Sequence, residues 1–530
     1  MSEIDPETRK KLIAWQKNSA GRNKADLSLA SEPELLDLIV NSPEPGRVLE
    51  LAFDLCSKNL RKDQGTFYTP FFVAEKMVKR AFFFWQKKHG SYKDLCQIKV
   101  LDPACGAGEF LLAALFVLLE KHRQYTPQRS TGEIIEYIVR HNLYGIDCNG
   151  NALELLRCRL RQISETDAGE HIVQSDSLSQ KNAGKIFKTG EKFNIVIGNP
   201  PYVSYGLRNT GKIDRVQAEK LRKRFAFSAQ YKISLYALFM EFAINSTAEN
   251  GIQSFIVPDS FLCGQYFEKL RIFMLKNCTF KQISLIDKKL FKAVAGKFVI
   301  YFSSKTPAAE TSRFPVQLLE ENAVFDLEKT SYDMLQDEFK NNFRHRFRLF
   351  FSGSVHSRVL QIEQQSVCKL GDLLTLASGI VARGGKNSII ADSPQDTGCW
   401  QRGIISSKEV KANMPVIWQG KYINCHPNAV KSGLGKIDYS LNKILIRQTG
   451  DRIIAAVDYN KLLVMNNLHV GISKVENLDL ERLTEYLNSS EMLFYYQAIT
   501  LEKDRPLAQT DLETLRELPM KEFFRKISCC

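Results

Sequence analysis

Phe193-Asn-Ile-Val-Ile-Gly-Asn-Pro-Pro-Tyr-Val203 reads as a buried strand running into a rigid elbow. Its Ile and Val residues favour a strand, and the two consecutive prolines cannot continue a hydrogen-bonded ladder, so the chain must leave the sheet at Asn199. That places Asn199-Pro-Pro-Tyr202 at a strand's carboxyl end, the edge where open α/β sheets bind ligands. An amide oxygen and a proline carbonyl can together accept both hydrogens of an amino group, and an exposed Tyr202 ring offers a face for stacking. The arrangement suits a flat substrate carrying NH2. A strand-ending turn with an aromatic plug is the plain structural alternative.

Upstream, the chain supplies the rest of such a sheet. Ile98-Lys-Val-Leu-Asp-Pro-Ala-Cys-Gly-Ala-Gly-Glu-Phe-Leu-Leu112 gives a strand, a glycine-rich turn and a helix over about 110–123. Gly106 and Gly108 let the backbone approach a ligand closely, with the helix's amino end directed at it. Leu143-Tyr-Gly-Ile-Asp147 is a second strand, whose terminal carboxylate is placed to accept from a ribose diol. Helix 152–163 then leads to a third strand over 172–178, with Asp176 at its tip. Any one of Asp102, Asp147 and Asp176 could simply cap a helix. Three at successive strand ends beside a glycine turn point to a site.

Farther on, a helix over 234–244 precedes a strand over 251–259. A helix over 267–275 is followed by strands at 283–286 and 298–302, joined through Leu290-Phe291-Lys292. This is an α/β doubly wound sheet.

Lys and Arg outnumber Asp and Glu by 73 to 59, a net charge of +14, which favours a polyanionic partner such as nucleic acid. The excess concentrates in two stretches that follow the Asn199 strand end, eight basic against two acidic residues over 201–240 and nine against two over 265–305. The N-terminus carries no apolar leader and no run reaches membrane-span length, so a cytoplasmic protein is expected. Twelve cysteines without paired CxxC spacing argue against a zinc site and fit free thiols.

Residues 1–60 read as a short helical N-terminal region. The following loop, Gln64-Gly-Thr-Phe-Tyr-Thr-Pro70, leads into an amphipathic helix through Val73, Met77, Val78, Ala81 and Phe82. The polar segment 306–365 reads as a linker containing short elements. Beyond it, residues 366–530 form a separate α+β domain of short strands (415–420, 443–447, 452–457 and 468–472) and closing helices. Residues 401–450 hold eight basic residues, Arg402, Lys408, Lys411, Lys421, Lys431, Lys436, Lys443 and Arg447, against Glu409 and Asp438. Such basic loops suit a DNA reader, with a solvated face as the alternative.

Phe67-Tyr-Thr-Pro70, Asp102-Pro-Ala-Cys-Gly-Ala-Gly108, Asp147, Asp176 and Asn199-Pro-Pro-Tyr202, in this order and ahead of a C-terminal domain, resemble the γ-class, TaqI-type DNA adenine-N6 methyltransferases. Leu370-Gly-Asp-Leu373, Pro415-Val-Ile-Trp-Gln-Gly420, Ile444 to Gly450 and Tyr486 to Ser489 resemble that family's target-recognition domain. The resemblance implies a Rossmann-like methyltransferase domain over 61–305, with S-adenosylmethionine as cofactor. Tyr68, Thr69 and Pro70 would line its methionine side. Asp102, Ala104, Cys105, Gly106 and Gly108 would hold the amino-acid and sulfonium end, with Cys105 a turn residue and not a nucleophile. Asp147 would take the ribose hydroxyls and Asp176 the adenine amino group. The target adenine would be flipped from double-stranded DNA. Asn199 and the Pro200 carbonyl would accept its amino hydrogens, Pro201 would stiffen the turn, Tyr202 would stack on the base, and Phe291 would form a second aromatic clamp.

The resemblance further implies a prokaryotic, nucleoid-associated modification enzyme, a monomer on DNA, with any restriction endonuclease encoded separately. Asp337-Glu-Phe-Lys340, after Asp333, matches a nuclease pattern in composition but lies in the expected linker without strand context, so modification without cleavage is expected. Three rival readings share parts of this pattern. Release-factor glutamine-N5 methyltransferases share Asn-Pro-Pro-Tyr but lack a large basic C-terminal domain. RNA amino-group methylation and a catalytically idle DNA-specificity subunit are the others.

Overall fold

A computed structural model of the chain describes residues 69–164, 169–205, 213–230, 233–287, 296–320, 324–396, 398–435, 437–503, 505 and 508–524, with positions 7, 10–12, 14, 38 and 48. The helical region expected over 1–60 otherwise lies outside the described residues. The chain divides into two compact units, Met1–Phe347 and Arg348–Cys530.

The first unit is built on a nine-stranded sheet. In chain order its strands are β1 (Val100–Asp102), β2 (Leu143–Asp147), β3 (Ile172–Gln174), β4 (Phe193–Gly198), β5 (Thr247–Pro258), β6 (Thr279–Asp287), β7 (Phe298–Ser304), β8 (Arg313–Glu320) and β9 (Tyr332–Leu335). The spatial order is β9-β8-β6-β7-β5-β4-β1-β2-β3. β3, β2, β1, β4 and β5 run parallel. β7 is inserted antiparallel between β5 and β6. The chain winds outward from β1 through β2 to β3 and then returns to place β4 on β1's other side. The sheet therefore has its switch point between the carboxyl ends of β1 and β4, the edge where open α/β sheets bind ligands.

Local chemistry explains the elements around it. Helix α1 (Phe71–Gln86) starts at Pro70, whose carbonyl accepts from the Val73 and Ala74 amides. Its buried Val73, Ala74, Met77, Val78, Ala81, Phe82 and Trp85 recur at helical spacing. Helix α2 (Glu109–Tyr125) follows the glycine turn. Helix α3 (Thr131–His141) opens on a capping box, with Ser130 Oγ accepting from the Glu133 amide at 3.2 Å and the Glu133 carboxylate accepting from the Ser130 amide at 2.9 Å. These helices and α4 (Gly150–Ser164) bury one apolar cluster against the sheet. Helices α5 (Arg215–Arg224), α6 (Leu235–Ser246) and α7 (Glu268–Asn277) complete the elements used below.

The expected linker is corrected in part. β8 pairs in parallel with β6 from Val316 to Glu320 and antiparallel with β9, burying Phe314, Val316 and Leu319. Residues 306–347 thus extend the sheet, and Asp333 lies in β9, so the nuclease-like residues do have a strand beside them. Glu338 and Lys340 sit on the one-turn helix Glu338–Asn341, where Lys340 is ion-paired to Asp337 at 2.6 Å.

In the second unit, one four-stranded sheet orders Leu374–Ser378, Leu468–Ser473, Lys443–Arg447 and Ala455–Asp458. Another orders Ile390–Ala391, Tyr422–Asn424, Trp400–Ile404 and Leu463–Val464. Ile380, Ile404, Ile423, Leu445, Leu463 and Val470 share its core. The strand expected over 415–420 is absent: this stretch is irregular, and the Trp418 indole donates to the Lys421 carbonyl at 2.6 Å, closing a turn instead of a ladder.

Candidate active site

The switch point brings together residues nearly a hundred positions apart. Asp102 ends β1 and Asn199 follows β4, with Gly198 between them. A Cβ on Gly198 would stand 2.6 Å from Asp102 Oδ1, so the carboxyl occupies the space a side chain there would need. Gly106 and Gly108 take positive φ angles of 51° and 91°, and Gly108 caps α2. At Gly108 a Cβ would also run into the Leu156 side chain on α4.

Hydrogen bonds tie three strand ends to this turn. The Ala104 amide donates to Asp102 Oδ1 at 3.0 Å, and the Cys105 amide to the Ile146 carbonyl at 3.0 Å. Asp147 accepts from the Gly106 amide on Oδ2 and the Asn149 amide on Oδ1, both at 2.8 Å. Ser177 Oγ donates to the Pro103 carbonyl, and exposed Asp176 accepts from the Leu178 amide at 2.9 Å. Asp147 therefore braces the glycine turn, while a carboxylate's four acceptor positions leave capacity for another donor. Arg159 adds a brace invisible in the sequence, donating to the Ala107 carbonyl at 2.7 Å and pairing with Glu109 at 2.8 Å.

Burial sets the electrostatics. Desolvation pushes the Asp102 carboxyl up to about 8, against its bond from the Ala104 amide and with the help of nearby Asp147. Asp147 is raised by the same cause, opposed by its amide donors. The Cys105 thiol, buried beside both carboxyls, is held well above its ordinary range, which disfavours the nucleophilic thiolate. A buried and a half-buried carboxyl beside a backbone turn suit a ligand that carries its own positive charge, as an ammonium or sulfonium group does.

At the β4 elbow, Asn199 Nδ2 donates to Thr69 Oγ1 at 3.1 Å. The Tyr202 hydroxyl donates to Asn199 Oδ1 and reaches the Ile256 carbonyl at 3.1 Å. Sequence reasoning missed the Thr69 contact, because nothing in the spacing shows that the residue before Pro70 meets the amide. Tyr202 is half-buried, which corrects the exposed ring expected, and it packs against Phe298 with ring centroids 5.4 Å apart. Phe298 and Phe302 are core residues. Tyr68 and Phe291 lie outside the described residues. Pro200 is buried, while Pro201 and Ala104 are half-buried.

The basic set of the second unit divides. Lys443 is fully buried, paired with Asp458 at 2.8 Å across adjacent strands, and is removed from the candidate DNA contacts. Arg447 Nε donates to the Val410 carbonyl, and Lys421 pairs with Asp392. Arg402 lies over the Trp418 ring at 4.8 Å. Lys408, Lys411 and Lys431 are exposed, and Lys436 lies outside the described residues. Among the described residues no cluster of His, Cys, Asp and Glu could hold a metal ion, and no helix is long and apolar enough to cross a membrane.

Residues 141–291 match the Eco57I restriction-modification methylase family, and residues 404–520 match the TaqI-like C-terminal specificity domain. Among curated proteins, the type II methyltransferase M.BstVI of Geobacillus stearothermophilus is 30% identical over 211 residues, covering 37% of this chain and 35% of that protein. The type II methyltransferase M.VspI of Vibrio sp. (strain 343) is 25% identical over 267 residues, covering 50% and 54%. The chain thus spans between about a third and a half of the length of these relatives. Among solved structures, the ATP-dependent type ISP restriction-modification enzyme LlaBIII bound to DNA shares the fold at a TM-score of 0.56 and 12% identity, over 84% of this chain and 37% of that one.

Proposed function

We propose, from the two matched family models and the type II methyltransferase relatives, that this chain is a TaqI-type, γ-class adenine methyltransferase with a C-terminal recognition domain, and that it transfers a methyl group from S-adenosylmethionine to the N6 amino group of a flipped-out adenine in a specific DNA sequence. One juxtaposition carries the reading: Asn199 follows Gly198, which lies against the buried Asp102 carboxyl, at the switch point of the sheet. Asp102, the turn from Ala104 to Gly108, Asp147 and Asp176 hold the cofactor, with Thr69 and Pro70 on its other side. When bound, S-adenosylmethionine supplies a methyl group activated by a sulfonium centre. Asn199 Oδ1 and the Pro200 carbonyl accept the two amino hydrogens of the adenine, which draws the nitrogen's lone pair out of conjugation with the ring. Tyr202 holds the amide in place and offers its half-exposed face to the base, with Phe291 as the second clamp. Residues 366–530 select the sequence. The enzyme works in the cytoplasm on double-stranded DNA of the nucleoid, as the modification partner of a separately encoded endonuclease.

The test is Asn199→Ala in the full chain. Transfer of labelled methyl to genomic DNA should fall about a hundredfold or more, as when an oriented polar group is removed from a reacting centre. Cofactor affinity by calorimetry should be nearly unchanged. Loss of cofactor binding, or labelling of protein or RNA instead of DNA by the unaltered chain, would refute the assignment.

A further inference from the structure

Between Tyr205 and Ile233 the chain leaves the carboxyl end of β4 and comes back to it. The excursion is closed by the antiparallel pair Ser204–Tyr205 with Ile233–Ser234 and by the Leu235 amide donating to the Val203 carbonyl at 2.9 Å. Its described core is α5, which carries Arg215, Lys220, Arg222, Lys223 and Arg224 against Glu219 alone. Ala218 and Leu221 face inward, while Lys220, Arg222 and Lys223 are exposed. Arg215 and Glu219 form an exposed pair at 3.2 Å.

Three pins hold the end of α5 and the turn after it. Arg224 donates to the Leu178 carbonyl, two residues beyond Asp176. The buried Glu241 carboxylate accepts from the Phe227 and Ser228 amides at 3.2 and 2.8 Å and from Ser228 Oγ at 2.7 Å. The Phe227 ring stacks on Phe273 of α7 at 4.4 Å and 9°. Two of the attachments, at the ends of β3 and β4, lie on the carboxyl edge of the sheet, where the proposed cofactor and base sites are.

A helix's last turn favours cations, which accounts for part of this charge. Lys220 and Lys223, three residues apart, nevertheless repel each other, and Glu219 already serves Arg215. A rigidly pinned cationic face on the ligand edge matches a regular array of phosphates. The helix's amino end is not the anion site, because the Asp214 carboxylate already accepts from the Val216 and Gln217 amides there.

We propose that the exposed face of α5, through Lys220, Arg222 and Lys223, grips the duplex phosphates flanking the base delivered to Asn199, a sequence-independent contact made by the methyltransferase unit itself. This rests on the DNA methyltransferase reading above. The contact positions the duplex and adds affinity without adding sequence preference.

The experiment compares the full chain with K220Q/R222Q/K223Q, using fluorescence anisotropy of a mixed-sequence duplex over about 50 to about 200 mM salt. Each lost phosphate contact should flatten the slope of log affinity against log salt by about 0.9, so the variant should be shallower by roughly 2 to 3. Cofactor affinity and melting temperature should be unchanged, and the methylated sequence should stay the same. Charge reversal in K220E/K223E should weaken binding further. An unchanged salt slope, or a changed methylated sequence, overturns the proposal. If the unaltered chain neither binds duplex nor methylates it, the methyltransferase reading fails; if it does both while the variant's slope is unaltered, only the role of α5 fails.

Discussion

Asp102→Asn should make the stability of the ligand-free protein less sensitive to alkali. The Asp102 carboxyl is 1% exposed, and burial raises it from an ordinary 3.8 to about 8. Because folding raises this pKa, the folded chain keeps a proton that the unfolded chain has released. The associated stability is complete below about pH 4 and is lost as pH climbs through about 8. Each pH unit inside that window is worth about 1.4 kcal/mol, and between about pH 6 and about pH 9 the integrated loss is about 3 kcal/mol. Asparagine keeps the shape and has no proton to lose, so the stability difference between variant and parent should widen by that amount across the range. Urea unfolding at a series of pH values measures it. A difference constant to within about 0.5 kcal/mol would refute the dry environment from which the shift arises. The same proton predicts the ligand response: cofactor affinity of the parent should rise with pH up to about 8, tenfold per unit, and the variant's should not.

Gly198→Ala drives a Cβ to 2.6 Å from Asp102 Oδ1, within a strand and against a carboxyl fixed by the Ala104 amide; it should cost about 1–3 kcal/mol and weaken cofactor binding, read by thermal melting and calorimetry. Lys443→Met strands the Asp458 carboxylate in a dry interior and should destabilise the second unit by about 3–5 kcal/mol, read by proteolysis of residues 348–530 under native conditions. Tyr202→Phe keeps the ring but removes the bonds to Asn199 and the Ile256 carbonyl; kcat should fall about tenfold with cofactor affinity unaltered, and an unchanged kcat would show that the hydroxyl does not hold the amide.

The parallel strands were readable because each buried one announces itself as a short apolar run ending in a polar residue, as Leu143 to Asp147 and Phe193 to Asn199 do. β8 and β9 were not readable. Arg313 to Glu320 mixes charged, polar and apolar residues at a sheet edge, and its partner strand β6 lies about thirty residues upstream. Pro415 to Gly420 failed in the opposite direction: apolar and β-favouring residues suggest a strand, but a strand needs a neighbour, and Trp418 turns back on Lys421. Lys443 shows why counting charge misleads. Its partner Asp458 comes from the adjacent strand, and only the register decides that the two meet in the core. Within the candidate site, Asp102, Asp147 and Asn199 were legible from their positions at strand ends. Their mutual bracing through Gly106, Gly198 and Thr69 depends on the turn's folded path.

That bracing bears on how the Asn199 amide can work. Its nitrogen donates to Thr69 Oγ1, and its oxygen accepts from the Tyr202 hydroxyl, so the network itself fixes which end of the amide points where. An amide oxygen has two acceptor positions, and Tyr202 fills one of them. The group expected to contact substrate is therefore oriented before substrate arrives. Tyr202 is oriented in turn by the Ile256 carbonyl on β5, and Thr69 by its place at the start of α1. Two side chains, one from the start of α1 and one anchored on β5, therefore converge on a single side-chain amide. A turn that merely ended a strand would need neither of them, and the elbow of Pro200 and Pro201 alone would have served.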